Sequence, residues 1–517
     1  MKEDKRKPNT DPILEQVLEF SESKGLFDCG TIIVGLSGGP DSVALTVILK
    51  SLKDRRDIDC DIKAFHCNHH LRPGVCDEEA GQVRQLCEFL GIDLKVIDFD
   101  CEGFARQNHI SEETAGRLLR YEAFEQYAAL IEEKTRKEVR IAVAHHKDDI
   151  AETMMMNLFR GAGLEGLVNP KCRSGRIIRP LLCLKKSELI GFLDERKIKF
   201  ATDLTNLQPV GTRNVWRNDL LPKISGFYNE DAAVPLARTY KLLSDDLDFI
   251  NRTSEEAYYA NRRDLSGYPV LSIDGIRDLH PAIRSRTIRA LWLETFGDLT
   301  DFEESNLNDC SSLIGDNGSG ETVIDMPFGR KAYRHGQIFA FSSKGGIGYL
   351  ACRIAEEMGF LTAQSPVKID VTLSEISGKD GISITIPDSS ILLKARIIEK
   401  KAKLEYNNCS WFCPFDESLG DRVTFGNCDG TGLSLKMRKA GSKGSKELNR
   451  LMTDLKIPES ARKHILFAEN GGKVLWLPGY GHGIGFTNAV SYEKYIVSRS
   501  AEVSNTDDMI MFTLERQ

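Results

Sequence analysis

Ser37-Gly38-Gly39-Pro40-Asp41-Ser42 lies between two apolar runs, TIIVGL at 31–36 and VALTVIL at 43–49. The order predicts a buried strand, a turn too tight for large side chains, and the start of a helix. Glycines let the backbone approach a ligand closely, and the unpaired amides at a helix start favour an anion. The stretch therefore predicts a phosphate-binding loop at the carboxyl end of a strand.

The side chains of this loop narrow the chemistry. Ser37 and Ser42 add hydroxyl donors, and Asp41 can hold Mg²⁺ or orient a reactant. The Lys-Ser/Thr ending of a Walker A loop is missing, which disfavours transfer of a terminal phosphate. The loop resembles the Ser-Gly-Gly-x-Asp-Ser loop (PP-loop) of ATP pyrophosphatases, which split ATP into AMP and pyrophosphate. This resemblance implies that ATP binds at 37–42 and that Mg²⁺ is a cofactor held by Asp41.

Strands and helices alternate on both sides of the loop. Beyond it we expect strands at 62–66, 94–97 and 139–144, and helices at 78–90 and 112–133. This alternation predicts a doubly wound parallel sheet, which binds ligands outside the carboxyl ends of its strands.

Two polar motifs directly follow predicted strands, NHHLR at 68–72 and HHKDDIAET at 145–153. Asp149 and Glu152 are three residues apart, so both can project from one face of a helix towards the crevice. The alternative is that these carboxylates only stabilise the helix N-terminus. A zinc site at His145 and His146 is disfavoured, because successive side chains at a strand end point in opposite directions.

Arg117 and Arg120 are one helical turn apart and can share a face suited to phosphate or to the edge of a base. A solvated helix face is the alternative interpretation.

Composition describes an ordinary folded protein. The chain has 517 residues, enough for about three domains. Its formal charge of −7 weighs only weakly against nucleic acid, since charge is local in a multidomain protein. Its 13 cysteines are scattered without a Cys-x-x-Cys pair, so reduced thiols are expected. No apolar run approaches a membrane span or a signal peptide, and a cytoplasmic location is expected.

The rest of the chain predicts two further domains. Apolar residues recur at helical spacing from 232 to 296, and 323–341 is expected to form a β-hairpin. Residues 436–463 carry nine basic and three acidic residues, which favours RNA but is also compatible with a solvated face. We expect a catalytic α/β domain at 11–225, a helical domain at 226–345 and a small α+β domain at 346–517.

Taken together, the motifs resemble the tRNA(Ile)-lysidine synthetase family over about 180 residues of the first domain. The resemblance implies that ATP adenylates the carbonyl oxygen at carbon 2 of the wobble cytidine in an isoleucine tRNA with a CAU anticodon. Free L-lysine then displaces AMP to form lysidine. The same resemblance implies catalytic roles for Asp41, Arg117, Asp149 and Glu152. The residues implied to contact substrate are Asn68, His69, Arg72, Arg120, His146, Asp148, Arg160, Asn206, Arg213, Asn214, Arg217, Lys439, Lys443 and Lys446.

The chain departs from the family pattern at two positions. Ile150 stands where the family usually has glutamine, and Gly116 stands where it has alanine. Two other functions stay open at this point: a thiolating PP-loop enzyme, although paired cysteines are missing, and a tRNA-binding protein without catalysis. A homodimer is one alternative for the oligomeric state.

Overall fold

The structure is a computed structural model, and the two compact units of the chain are residues 1–249 and 250–517. The residues that it describes are 11–68, 75–201, 212–228, 231–377, 381–387, 391–399, 410–414, 422–431, 435–438, 445–470, 473–477 and 508–516.

The first unit is built on a six-stranded sheet in the order β3-β2-β1-β4-β6-β5. All neighbouring strands are parallel except β5 and β6, which form an antiparallel edge. The strands are β1 Thr31–Gly35, β2 Asp61–Asn68, β3 Asp93–Asp98, β4 Val139–Ala142, β5 Arg173–Ser174 and β6 Ile177–Ile178. The predicted doubly wound parallel sheet is confirmed.

Helices cover both faces of this sheet. They are α1 Pro12–Ser23, α2 Pro40–Asp54, α3 Val75–Leu90, α4 Cys101–Asn108, α5 Glu112–Thr135, α6 Lys147–Phe159, α7 Leu164–Leu167, α8 Lys186–Glu195, α9 Thr212–Val215, α10 Leu221–Tyr228 and α11 Ala233–Asn261. A short 3-10 helix, Pro180–Cys183, precedes α8, and a π-helical turn, Trp216–Leu220, joins α9 to α10. Helix α11 runs across the boundary between the two units.

Strand β1 lies in the centre of the sheet and is buried on both faces, as its unbroken apolar sequence predicts. Ile32 and Val34 pack into the core formed with α2, while Ile33 packs on the opposite face with Phe124 of α5. The chain after β1 is equally crowded, because a Cβ added at Gly35 would lie 2.8 Å from the Cζ atom of Phe124. Close packing on both faces thus fixes where the loop after β1 begins.

The second unit begins with a five-stranded antiparallel sheet in the order β7-β8-β11-β10-β9. Its elements are β7 Arg262–Leu265, β8 Tyr268–Ser272, α12 Ile273–Arg277, α13 Pro281–Phe296, α14 Glu304–Gly315, β9 Thr322–Asp325, β10 Arg330–His335, β11 Ile338–Ser343 and α15 Ile347–Glu357. Trp292 of α13 is fully buried against this sheet and stacks on Phe302, with ring centroids 4.2 Å apart. The predicted hairpin is present, as β10 and β11, and β9 extends it.

Two more sheets follow in this unit, in the orders β12-β16-β19-β20-β17-β18 and β13-β14-β21-β15. Their elements are β12 Lys368–Thr372, α16 Leu373–Ile376, β13 Ile382–Thr385, β14 Ile391–Glu399, β15 Ser410–Pro414, β16 Arg422–Gly426, α17 Cys428–Thr431, β17 Lys436–Arg438, β18 Ser445–Glu447, α18 Leu448–Asp454, α19 Glu459–Arg462, β19 Phe467–Asn470, β20 Lys473–Trp476 and β21 Asp508–Arg516. The mixed α/β fold class is confirmed, with helices and small antiparallel sheets after the parallel sheet. Residues 226–345 are helical with a five-stranded sheet, and the three domain boundaries stay a prediction.

Two expectations concern the whole chain. In the part of the chain that the structure describes, no helix has the length and apolarity that a membrane span requires. Within the same ranges the cysteines are free thiols, Cys29, Cys60, Cys67, Cys87, Cys101, Cys172, Cys183, Cys310, Cys352 and Cys428.

Candidate active site

The loop after β1 forms a compact turn held by its own serines. The Ser37 amide donates to the Ser42 hydroxyl oxygen (3.1 Å), and the two hydroxyl oxygens are 3.0 Å apart. The Ser42 hydroxyl in turn donates to the Gly39 carbonyl (3.0 Å). Gly38 has a φ of +92°, a backbone conformation that residues with a Cβ rarely adopt. Helix α2 then begins at Pro40, and no described side chain caps its first amides, which leaves them available to an anion.

Asp41 is the carboxylate of this loop. Its Oδ1 atom is buried and has no hydrogen-bond partner among the described residues. Its Oδ2 atom lies 3.7 Å from His146 Nε2 and 3.9 Å from Lys186 Nζ. A buried carboxylate oxygen without a donor suits a cation, and Mg²⁺ commonly binds one carboxylate together with the phosphates of a nucleotide. The described residues contain no cluster of three or more side chains that could hold a metal ion by themselves.

Helix α6 brings a second group of polar side chains to the same edge of the sheet. His146 precedes its first residue, and the His146 amide donates to Asp149 Oδ2 (2.8 Å). Asp148 Oδ2 lies 3.1 Å from His146 Nδ1 and accepts from the Lys186 amide (2.9 Å). Because β4 ends beside β1, these contacts bring the start of α6 next to Asp41.

Asp149 and Glu152 share one face of α6, as their spacing predicts, and both are buried. Arg213 donates from Nε to Glu152 Oε2 (2.7 Å) and from Nη2 to Asp149 Oδ1 (2.8 Å). Arg217 donates from Nε to Glu152 Oε1 (2.5 Å) and from Nη2 to Asp149 Oδ1 (3.2 Å). The two buried carboxylates thus accept cationic nitrogen donors, and two arginines balance their charge.

The two adjacent histidines have pKa values shifted in opposite directions. Burial lowers the pKa of His145 to about 4, and the positive charges of Arg179 and Arg213 act in the same direction. Burial would also lower the pKa of His146, but the carboxylates of Asp148, Asp149 and Asp41 outweigh it and raise that pKa above its ordinary value. Between pH 4 and 6.5, His145 is therefore mostly neutral while His146 is mostly protonated.

The pKa values of Asp148 and Asp149 are lowered, whereas that of His146 is raised. Burial would raise the pKa of Asp148, but hydrogen bonds from His146 and from the Lys186 amide outweigh it and bring that pKa to about 2. The pKa of Asp149 is also lowered, because the charges of His146 and Arg213 outweigh its burial. Both carboxylates are ionised at neutral pH.

We expect the histidine pair to titrate in two widely separated steps. His145 should lose its proton near pH 4, whereas His146 should stay protonated beyond pH 6.5, the ordinary histidine value. An unfolded chain binds a proton at position 145 more readily than the fold does, so this residue should cost stability as the pH falls from 6.5 towards 4. Imidazole carbon shifts in ¹³C-histidine protein, assigned with His145→Gln and His146→Gln, measure both midpoints. Two midpoints near 6.5 would contradict the assignment.

Comparisons with known proteins show the family of this chain. Residues 10–224 match the family described as PP-loop domain, and 431–495 match the family described as TilS substrate C-terminal domain. The tRNA(Ile)-lysidine synthase of Porphyromonas gingivalis strain W83 is 30% identical over 498 residues, which cover 93% of this chain and 94% of that protein. The chain belongs to the tRNA(Ile)-lysidine synthase family.

This chain is also similar in sequence to other members of the tRNA(Ile)-lysidine synthase family. The enzyme of Caldanaerobacter subterraneus subsp. tengcongensis is 28% identical over 476 residues, covering 90% of this chain and 93% of that protein. The enzyme of Bacteroides thetaiotaomicron is 40% identical over 246 residues, covering 47% of this chain and 55% of that protein.

The remaining residues that the family resemblance implied lie at several places. Arg117 is exposed on α5, with its guanidinium carbon 5.4 Å from the centre of the Tyr121 ring. Asn68 is the buried last residue of β2. Arg120 lies on α5, Arg160 follows α6, Asn214 lies in α9 and Lys446 lies in β18. His69, Arg72, Asn206, Lys439 and Lys443 lie outside the described residues.

The site also contains residues that the sequence motifs did not assign. Lys186 approaches Asp41 from the start of α8. His145 interacts electrostatically with Asp149 and with Arg179. Arg179 could have been found from its position after the short apolar pair Ile177–Ile178, but a two-residue strand is too short to be predicted from periodicity.

Proposed function

We propose that this crevice catalyses both steps of lysidine synthesis. The first is ATP-dependent adenylation of the carbonyl oxygen at carbon 2 of the wobble cytidine in an isoleucine tRNA with a CAU anticodon, and the second is attack on carbon 2 by free lysine. One observation carries the proposal. His146 Nε2 lies 3.7 Å from Asp41 Oδ2 and 3.5 Å from Asp149 Oδ2, so a single imidazole joins the PP-loop to the carboxylate pair. The adenylating loop and a site for the nucleophile thus form one crevice.

The PP-loop residues suit the adenylation step. The amides at the start of α2 and the hydroxyls of Ser37 and Ser42 can donate to the pyrophosphate as it leaves. Asp41 would hold Mg²⁺ on the nucleotide, and this ion would neutralise charge on the phosphates. Lys186 places further positive charge beside Asp41, and the raised pKa of His146 favours its protonated form there. The exposed guanidinium of Arg117 would steady the nucleotide or an RNA phosphate.

Asp149 and Glu152 suit the lysine step. Their oxygens already accept hydrogen bonds from the guanidinium groups of Arg213 and Arg217. The ammonium group of lysine is also a cationic N–H donor, so it can bind to the same oxygens. To bind there, the ammonium shares or exchanges one of these ion pairs. A carboxylate next to the ammonium can then take the proton that lysine must lose before its nitrogen attacks carbon 2. AMP leaves with the oxygen that was adenylated.

The tRNA is proposed to contact basic residues outside the crevice. Arg120, Arg160 and the lysines of 436–463 would bind phosphates, since a nucleic-acid backbone is bound largely by such cations. Discrimination among tRNAs would then rest on the shape of the folded RNA. We further propose a cytoplasmic location, where tRNA, ATP and free lysine meet, and we retain a homodimer as one oligomeric form.

Incorporation of radiolabelled lysine into an isoleucine tRNA transcript tests the proposal. With ATP and Mg²⁺ we expect one lysine per tRNA, with equal amounts of AMP and pyrophosphate. A transcript with cytidine 34 replaced by uridine is the matched control and should accept none. Pyrophosphate release that depends on a sulfur donor and not on lysine would instead indicate thiolation, and ATP-independent binding alone would indicate a non-catalytic protein.

A further inference from the structure

Arg179 is a buried arginine whose charge no carboxylate balances within the described part of the chain. Its exposed fraction is 8%, and its Nη1 atom donates to the Lys171 carbonyl (2.7 Å). Its Nε atom is buried and has no hydrogen-bond partner among the described residues. A buried charge without a counterion is costly, so such a group is expected to bind an anion when the protein works.

The sheet places Arg179 at the ligand-binding edge. It directly follows β6, which pairs in parallel with β4, and the Val143 amide donates to the Ile178 carbonyl (3.0 Å). Arg179 is therefore level with the chain that leads from β4 into His145 and α6. On the other side of β4 lies β1 with the PP-loop. Neighbouring strands are about 4.8 Å apart, so the PP-loop and Arg179 lie on opposite sides of β4, the strand that leads into α6.

The surroundings of Arg179 preserve its positive character. The neighbouring His145 is neutral, and its Nδ1 atom is also buried without a partner among the described residues. Burial lowers the pKa of Arg179, while the phenol groups of Tyr121 and Tyr240 oppose that effect. Arg179 also hydrogen-bonds the Tyr121 side chain, which leaves its Nε atom and His145 Nδ1 without a partner among the described residues. One of these two groups is cationic and the other neutral, and together they suit a carboxylate or a phosphate.

Position favours a carboxylate. Phosphates of ATP belong at the PP-loop, which is two strands away from Arg179. The lysine substrate carries an ammonium and a carboxylate at opposite ends of a five-carbon chain, and the site likewise separates a carboxylate pair from a guanidinium. We propose that Arg179 binds the α-carboxylate of the lysine substrate while Asp149 and Glu152 bind its side-chain ammonium. This inference rests on the proposed lysidine synthesis and names the residue that selects an amino acid over a simple amine.

The test compares lysine with 1,5-diaminopentane, which is lysine without its carboxylate. Rates of transfer to adenylated tRNA give kcat/KM for both amines with wild type, Arg179→Gln, Arg179→Lys and Arg176→Gln. Arg176 is the matched control, since it lies three residues earlier, is paired with Glu125 and Glu132, and is outside the crevice. We expect Arg179→Gln to lose about 10- to 150-fold on lysine, as for a charged hydrogen bond, and to change less than about twofold on diaminopentane.

The remaining variants and readouts complete the design. Arg179→Lys, which keeps the charge, should fall between wild type and Arg179→Gln on lysine, and Arg176→Gln should match wild type on both amines. Adenylation of tRNA without lysine should keep its rate and its KM for ATP in Arg179→Gln.

Three results would overturn the inference. Equal losses on both amines would indicate a merely structural arginine, and slowed adenylation with a raised KM for ATP would indicate a phosphate site. Unchanged use of lysine would remove Arg179 from the site. Lysidine formation by wild type in any of these cases would leave the proposed function standing, whereas its absence in wild type would refute that function first.

Discussion

Asp41→Ala is expected to abolish tRNA adenylation and, with it, lysidine formation, by at least about 10³-fold. Asp41 Oδ1 is the buried, unpartnered oxygen of the PP-loop in the described chain, and Oδ2 faces His146 and Lys186. Alanine removes the group that would hold Mg²⁺ and leaves those two positive side chains without their carboxylate. Transfer of label from [α-³²P]ATP to tRNA in a single turnover, without lysine, measures the step directly.

Asp54→Ala is the matched control for this variant. Asp54 lies at the other end of the same helix, α2, where it is exposed and pairs with Lys50. An exposed pair of this kind contributes about 0.3–0.5 kcal/mol, so Asp54→Ala should fold and adenylate tRNA normally. Adenylation by Asp41→Ala within about tenfold of wild type would show that another group holds the nucleotide.

The part of the site that follows from local sequence could be predicted. An apolar run, a Gly-Gly turn and a proline at the first helical turn specify a strand, a loop and a helix whatever surrounds them, and β1, Gly38 and α2 have that form. The parallel sheet follows from alternation of strands and helices, and the shared face of Asp149 and Glu152 follows from helical spacing.

Contacts between distant segments could not be predicted. Arg213 and Arg217 lie 61 and 65 residues beyond Glu152, and their pairing with it depends on how the chain returns after α8. The sequence indicated arginines near the substrate, but not that they neutralise the carboxylates expected to bind lysine. The burial of Arg179 without a carboxylate partner among the described residues could not be predicted either, because the sequence around a single arginine does not indicate whether it is buried.

The different environments of the two adjacent histidines also could not be predicted from the sequence. Alternation at a strand end separates His145 from His146, which argued against a zinc site. It does not say that burial dominates the pKa of His145, whereas three carboxylates outweigh burial at His146. Their opposite pKa shifts arise from α6, β6 and the 212–220 segment together, and only the folded chain assembles these.

Glu152→Gln is expected to stop the second step while leaving the first, so that adenylated tRNA accumulates. Glutamine keeps the shape of the side chain and can still accept a hydrogen bond from Arg213 or Arg217, but it has neither the charge that binds an ammonium nor the basicity that takes its proton. We expect lysine transfer to fall about 10³-fold, within the range for loss of a general base. Asp149→Asn should have an effect of the same kind.

The accumulation of adenylated tRNA separates this role from a structural one. Glu152 is 1% exposed and holds two arginines, so its replacement also weakens the attachment of 212–220 to α6. If the carboxylate served only that attachment, adenylation and lysine transfer would fall together, and Glu152→Gln would resemble Asp41→Ala. Glu165→Gln, at an exposed position shortly after α6, should leave both steps intact. Retained adenylation with lost lysine transfer therefore assigns the α6 carboxylates to the nucleophile and the PP-loop to ATP.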